Sequence, residues 1–541
     1  MINGHMQQVG FNLISILQHA ASAHGSTEVV TNSVEGGKHS IRYREMYDRT
    51  ARLANALQKM GMNQGDRIGT MAWNTWRHLE CWYAIGGSGA VCHTLNPRLF
   101  ADQIDFIVNH AEDRFMFVDI SFVPVIAAVL DRLPTLEQLV VMTDAEHMPD
   151  VSAISVPVHC YEDLIATEEA AFEWPDIDEN GASSLCYTSG TTGNPKGVMY
   201  SHRSNVMHSL TTCGPDLFDL KATDTCLMIV PMFHANSWGL AFSAPMIGSK
   251  LVLPGPHMDG ASIYNLITEE QCTTSAAVPT VWTGLLDYMD AEGKTIPSLK
   301  ETIIGGSAVP RAMIEKFDTV YNVDVIHAWG MTEMSPLGTM NRPLAFMNTL
   351  TAAERMDIRC KQGRAPYGVE LKIVDDDGNR LPHDGDAFGR LLVRGHWVIE
   401  RYYKQHDSEL DAEGWFDTGD VANIDANGYM QITDRSKDII KSGGEWISSV
   451  DIENTAMGHP QLQIAACIGV KHAKWEERPL LLAVKKPDCE PSKQNVLDHI
   501  AAAFAKWQVP DDVVFIDEMP LTATGKIDKK PLRAEYESFY L

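Results

Sequence analysis

Through the first 330 residues of the chain, apolar runs of strand length alternate with segments of helical periodicity. Few architectures tolerate that alternation. "IRYREMYDRTARLANALQKMG" is expected as an amphipathic helix ending at Gly61, and "GDRIGTMAWN" as the buried strand behind it. "ADQIDFIVNHA" is helical again, among the short apolar runs "FMFVD" and "QLVVMTD". The rhythm continues through "SSLCYTS", "DTCLMIVPMFH", "SKLVLPG", "KETIIGGSAV" and "VDVIHAWG". Such strands read as α/β architecture: parallel sheets with helices on both faces.

After about Gly363 the texture changes. "VELKIVDDDGNRLPHDGDAFGRLLVRG" alternates apolar and polar residues around Asp-Gly turns, as antiparallel hairpins do, and "DANGYMQITDR" is a further piece of this kind. Beyond Arg435 a separate pattern begins, with "VDIENTAMGHP" and "SKQNVLDHIAAAFAKW" as helices and "IAACIGVKH" and "LLLAVKK" as strands. The expected organisation is a large N-terminal region over residues 1–436, built of two sheet-bearing lobes plus a small β-barrel. A smaller α+β C-terminal domain over residues 437–541 follows. A length of 541 residues suits several domains' worth of chain.

The formal charge of −27 excludes a nucleic-acid partner, because phosphate backbones are bound through an excess of Lys and Arg. No window approaches the roughly eighteen apolar residues of a spanning helix, so no integral membrane segment is expected. The opening residues lack a basic leader. The ten cysteines include no C-x-x-C pair, which argues against a zinc or dithiol site and for reduced thiols. A cytoplasmic enzyme is the expectation.

The stretch "CYTSGTTGNPKGVMYSH" carries the strongest chemical signal. Thr188, Ser189, Gly190, Thr191, Thr192 and Gly193 form a hydroxyl-rich glycine loop after an apolar strand, and Lys196 follows. Free N–H groups, hydroxyls and an ammonium suit phosphate. The Walker pattern needs Gly before the lysine and Ser or Thr after it, whereas Lys196 lies between Pro195 and Gly197. "MIVPMFHANSWG" places His234 and Trp238 after a strand, where a structural histidine is the plainer reading. "IIGGSAVP" and "IHAWGMTEMSP" end strands where open α/β sheets bind ligands. Trp329 offers a flat face, and Glu333 an oxygen for Mg²⁺. Read alone, Asp420 in "GWFDTGD" is as readily a turn aspartate as a ligand, the "TDRSKDIIKSGGEWIS" cluster is more than a solvated turn, and Lys526 in "PLTATGKIDKKPLR" is an exposed lysine.

Together, these motifs in this order resemble the adenylate-forming superfamily of acyl-CoA synthetases, adenylation domains and luciferases, from the helix near Tyr43 to Lys526. "DRSKDIIKSGGEWISSVDIEN" with "PMFHANSW" is most similar to fatty-acid and related acyl-CoA ligases, including those acting on 3-methylthiopropionate. The resemblance implies ATP and CoA as co-substrates and Mg²⁺. It assigns the Thr188–Lys196 loop to the β- and γ-phosphates, and Thr188 and Glu333 to the metal. Gly305, Gly306 and Ser307 would line the adenine slot, and Ala328, Trp329, Gly330, Met331 and Thr332 would complete the nucleotide site, with Trp329 stacked on the base. Asp420 would take the ribose hydroxyls, and Arg435 the ribose or phosphate. Lys526 would bridge the carboxylate and α-phosphate. The C-terminal domain would be mobile about Lys437, bringing Ser442, Gly443, Gly444, Glu445 and Trp446 round as a pantetheine channel. The acyl pocket would be walled by His234, Trp238, Gly305, Met331 and Pro336, with Trp238 where related enzymes carry a gating indole. Two departures stand out: Asp434 replaces a glycine and Trp329 a commoner tyrosine.

The favoured reading is an ATP-dependent ligase for a short- to medium-chain acid, such as 3-methylthiopropionate. Long-chain fatty acids are the runner-up. A luciferase-like oxygenase, a carrier-protein adenylation enzyme and an inactive binding protein are the competing classes, separable by CoA-dependent AMP release without oxygen uptake. The sequence does not fix the oligomeric state, and the resemblance points to a homodimer.

Overall fold

The computed structural model describes residues 4–188, 194–435, 437–443, 445–522 and 526–541, with the backbone alone described at Glu445 and Trp446. A seven-stranded sheet runs in the order Val158–Cys160, Gln138–Val141, Asp113–Val118, Arg67–Met71, Val91–Thr94, Ala182–Tyr187, Gly197–Ser201. All its pairings are parallel except the last. An eight-stranded sheet has a parallel centre of Asp324–Gly330, Glu301–Ile304, Thr274–Ala277, Thr225–Met228, Lys250–Leu253 and Glu28–Asn32. Antiparallel strands Leu337–Met340 and Lys38–Arg42 close its two edges.

Helices cover these sheets because their apolar residues recur on one face. The helix Tyr43–Lys59 buries Tyr43, Met46, Thr50, Leu53, Ala54 and Leu57, at the three- and four-residue spacing that makes one stripe. It stops before Gly61, whose φ of 88° supplies the left-handed residue that ends many helices. The helix Ala101–Ala111 coincides with the segment read as helical.

The hairpins past Gly363 form a four-stranded antiparallel sheet, Val369–Val374, Phe388–Gly395, Phe416–Ile424 and Met430–Arg435. A small barrel was expected here, but closure requires the first and last strands to pair. Among the described residues they do not. The outer edge at Met430 bridges instead to Gly363, and Arg364 bridges to Met340 at the edge of the eight-stranded sheet. This ties the third sheet to the second.

The chain beyond Arg435 builds a further sheet from Ile440–Ser442, Glu445–Ile447, Leu462–His472, Glu476–Lys485 and Asp512–Phe515, with the helices Ser449–Met457 and Lys493–Ala501 packed on it. Among the described residues, no helix is long and apolar enough to cross a membrane.

Candidate active site

The carboxyl ends of the parallel strands, where open sheets place ligands, carry most of the residues singled out in the sequence. Thr188 follows the strand Ala182–Tyr187. Its N–H donates to Lys196 O at 2.9 Å, while the Lys196 N–H donates to Thr188 Oγ1 at 3.3 Å. The two ends of the glycine loop are therefore closed on each other. Ser189, Gly190, Thr191, Thr192 and Gly193 lie outside the described residues. The Lys196 ammonium stands 4.2 Å from the centroid of the Tyr402 ring and 3.7 Å from Glu409.

Glu333 sits in the turn after the strand Asp324–Gly330, buried, with its Oε1 accepting a 2.8 Å bond from the Tyr402 hydroxyl. Among the described residues no Lys, Arg or His comes within ion-pair distance of it. Burial pushes its carboxyl above the ordinary range, against the Tyr402 bond and the charge of Lys196. That environment favours a positive ligand. The Tyr200 hydroxyl donates to Thr332 O at 2.7 Å, pinning the same turn to the strand after Lys196. Met331 N–H donates to Pro336 O at 3.0 Å, so the two residues lie at one bend.

Asp420 and Arg435 oppose each other across an antiparallel pair, with 3.8 Å between Arg435 Nε and Asp420 Oδ1. Trp329 Nε1 donates to Asp420 Oδ2 at 3.0 Å. Thus the indole taken as a stacking surface also orients the carboxylate. Burial raises the Asp420 carboxyl, opposed by Arg435, Trp329 and Lys526.

Gly305 and Gly306 follow the strand Glu301–Ile304, and Ser307 after them is exposed. A Cβ on Gly305 would come within 2.7 Å of Ala328 O and 3.4 Å of the Trp238 indole. One on Gly306, where φ is 83°, would meet Val278 at 3.1 Å, Lys526 Cε at 3.6 Å and Trp238 at 3.7 Å. Trp238 and Lys526 therefore both rest against this glycine turn. Trp238 arrives on an uncommon backbone: Ala235, Asn236, Ser237, Trp238 and Gly239 all have φ between 43° and 83°. Buried polar bonds hold that run. Asn236 Nδ2 donates to Asn205 Oδ1 at 2.8 Å, Asn205 Nδ2 donates to Ser183 and Ser184, and Ser237 Oγ donates to Val230 O at 2.7 Å.

Lys526 comes from the far end of the chain. Its N–H donates to Thr522 Oγ1 at 3.2 Å. The residue is half-buried, with its charged end enclosed. Burial, then the Arg435 charge, pushes the ammonium down to about 8, while Asp420 and Glu333 oppose the shift. His234 is pushed down to about 4 by burial and by Lys526, so it is neutral near pH 7. One cluster thus brings together Lys526, Arg435, Asp420, Glu333, His234, Trp238 and the glycine turn.

Other residues stand apart. Ser442 accepts a bond from Arg478 at 3.2 Å and Gly443 N–H donates to Trp475 O at 2.9 Å; neither hydrogen-bonds to the Lys526 group. Gly444 and the side chains of Glu445 and Trp446 lie outside the described residues. Lys437 is exposed beside Asp438, which pairs with Arg533. Asp434 accepts from the Ser449 N–H at 2.7 Å, docking the end of the third sheet on the helix Ser449–Met457. Tyr402, Glu409 and Val278 drew no attention in the sequence, because no motif marks them.

A family model described as AMP-binding enzyme matches residues 17–403, and one described as AMP-binding enzyme C-terminal domain matches residues 451–526. The chain is 50% identical over 538 residues to a medium-chain-fatty-acid–CoA ligase of Ectopseudomonas oleovorans, covering 99% of this chain and 98% of that protein. It is also 50% identical over 534 residues to a 3-methylmercaptopropionyl-CoA ligase of Ruegeria lacuscaerulensis, covering 99% of each. The crystal structure of an anthranilate CoA ligase in complex with anthranoyl-AMP superposes with a TM-score of 0.87 at 25% identity over 98% of both chains.

Proposed function

The chain belongs to the AMP-binding enzyme family and is an AMP-forming acyl-CoA ligase, and from that premise we propose that it activates a short- to medium-chain carboxylic acid, such as 3-methylthiopropionate, with ATP and passes the acyl group to CoA. The observation that carries this reading is the convergence of Lys526 with Arg435, Asp420 and Glu333 at the Gly305–Gly306 turn.

In the first step a carboxylate oxygen attacks the α-phosphorus, and the bond to pyrophosphate breaks. Two anions must meet, so an enclosed ammonium lowers the barrier where charge accumulates. Lys526 is placed for this and is mostly protonated below its pKa of about 8. The neutral His234 adds no further charge, and with Trp238 it walls the acyl site. Asp420, oriented by Trp329, accepts from the ribose hydroxyls. Lys196 and the loop behind Thr188 hold the departing pyrophosphate. Glu333, buried and with no cationic side chain at ion-pair distance among the described residues, would hold Mg²⁺ together with Thr188. Mg²⁺ bound there would offset phosphate charge.

In the second step the CoA sulfur attacks the acyl carbonyl, the thiol proton is lost, and AMP leaves with the bonding electrons. Lys526 would have to withdraw from the carbonyl for the sulfur to approach it. The reading therefore includes rotation of residues 437–541 about Lys437, carrying Ser442–Trp446 to the site. A cytoplasmic location and a homodimer complete it, and cell fractionation and sedimentation test them.

Acid-dependent exchange of labelled pyrophosphate into ATP, followed by CoA-dependent AMP release across acids of graded length with the thioether included, tests the whole. A best substrate among the shorter acids is expected. No exchange with any acid overturns the reading, and a maximum at long chains overturns the substrate class.

A further inference from the structure

Glu333 follows a strand of one sheet and Lys196 precedes a strand of another, yet the proposed chemistry needs both to engage one triphosphate. The segment Ile399–Tyr403 spans the gap. Ile399 N–H donates to Glu333 O at 2.8 Å, and Tyr403 N–H donates to Gly197 O at 2.8 Å. The segment is thus stitched at one end to the acidic turn and at the other to the residue after the lysine. Between these ties stands Tyr402, buried at 7% exposure. Its hydroxyl donates to Glu333 Oε1 at 2.8 Å, and its ring faces the Lys196 ammonium at 4.2 Å.

We propose that Tyr402 is a positioning residue that couples the Glu333 carboxylate to the Lys196 ammonium, presenting the cation ligand and the phosphate ligand of the site as one preset unit. The inference rests on the reading of Glu333 and Lys196 given above.

A phenol can do this in a way other side chains cannot. It gives one proton to one carboxylate oxygen, fixing the rotamer and leaving the other oxygen free for a cation. It stays un-ionised, because burial and the neighbouring Glu333 raise its pKa. Its ring face holds an ammonium by the ring quadrupole without neutralising it, so the charge remains available to phosphate. The competing partner of Lys196 is Glu409, at 3.7 Å with both side chains well exposed. Such a pair contributes little, and the lysine can leave it.

Binding of a non-hydrolysable ATP analogue to the full chain separates the two contacts. It is measured by calorimetry in EDTA and again along a Mg²⁺ titration. Tyr402→Phe keeps the ring and removes the proton; the Mg²⁺ concentration for half-maximal enhancement should rise roughly tenfold, as for a lost hydrogen bond to a charged group. Its metal-free nucleotide affinity should not change. Tyr402→Leu removes the ring as well, and the metal-free affinity should also fall, roughly threefold. AMP lacks the β- and γ-phosphates, so its binding should be unchanged in both variants.

Glu333→Gln and Lys196→Ala calibrate the two readouts. If they shift the Mg²⁺ midpoint and the metal-free affinity respectively while Tyr402→Phe leaves the midpoint in place, the coupling role is wrong. If AMP binding falls along with everything else, Tyr402 is merely structural and the proposal is overturned. If the calibrating variants themselves change nothing, the assignment of Glu333 and Lys196 fails and takes the proposal with it.

Discussion

Lys526 offers the most quantitative handle on this site, because its charge is expected to titrate within reach of an assay. The ammonium is pushed down to about 8, first by burial and then by Arg435, with Asp420 and Glu333 pulling back. A lysine loses its positive charge as pH rises through its pKa. Around a pKa of 8 the protonated fraction falls from about 0.9 at pH 7 to about 0.09 at pH 9, a roughly tenfold loss of competent enzyme. Because kcat/KM reports the free enzyme, the kcat/KM of adenylate formation, followed by pyrophosphate exchange, should fall by that factor over this range. The kcat limb should lie higher, since bound triphosphate stabilises the cation. Lys526→Arg should start lower, for want of the same shape, but show no decline to pH 9 because guanidinium stays charged. Lys526→Ala should lose roughly a thousandfold in adenylation, the equivalent of one charge interaction of about 4 kcal/mol at 4 Å in an effective dielectric of 20. It should still convert supplied acyl-adenylate and CoA to thioester. A flat wild-type profile, or the same decline in the arginine variant, would refute the assignment of the limb to Lys526. Equal damage to both half-reactions would refute its role in the first.

Trp238→Ala opens the wall against Gly305 and Gly306, and should move the best substrate in an acid-length panel toward longer chains; an unchanged maximum would mean the indole does not limit the pocket. Gly363→Ala should lower the thermal midpoint clearly, because φ is 95° and the new Cβ would fall 2.2 Å from Met340 C, costing on the order of 2 kcal/mol or more. Gly378→Ala is the control, with φ of 84° but open space around it, and should cost only about 1 kcal/mol. Differential scanning calorimetry of the pair compares them directly.

The parallel sheets were legible because strands buried between helices must be apolar throughout, as Phe115–Val118 and Leu139–Val141 are. Other elements were hidden. The helix Leu13–Ala23 offers only a short apolar run before polar Gln18 and His19, yet Asn12 caps it and Leu13 N–H donates to His202 Nδ1. The hairpin of Glu28–Asn32 and Lys38–Arg42 gives little pattern because its second strand is an exposed edge. "DTCLMIVPMFH" read as one strand, but the strand stops at Met228. There the Asn74 amide bonds Met228 O and Val230 O, and its oxygen takes the Met232 N–H, drawing the chain out of the sheet. In the site, residue types and glycine turns could be found from spacing. The bond of Trp329 to Asp420 and the reach of Tyr402 to Glu333 and Lys196 could not, since each joins segments far apart in the chain with no local periodicity.

The left-handed stretch before the helix Leu240–Ile247 bears on how such a pocket changes over time. Four residues with side chains occupy a region that L-amino acids adopt reluctantly, at roughly 1 kcal/mol or more apiece, and a buried amide relay restrains them. A wall mounted in this way has few intermediate positions: loosening one link releases the whole twist. Substrate range should therefore shift in jumps when Asn236 or Asn205 is replaced, and glide only when the indole alone is trimmed.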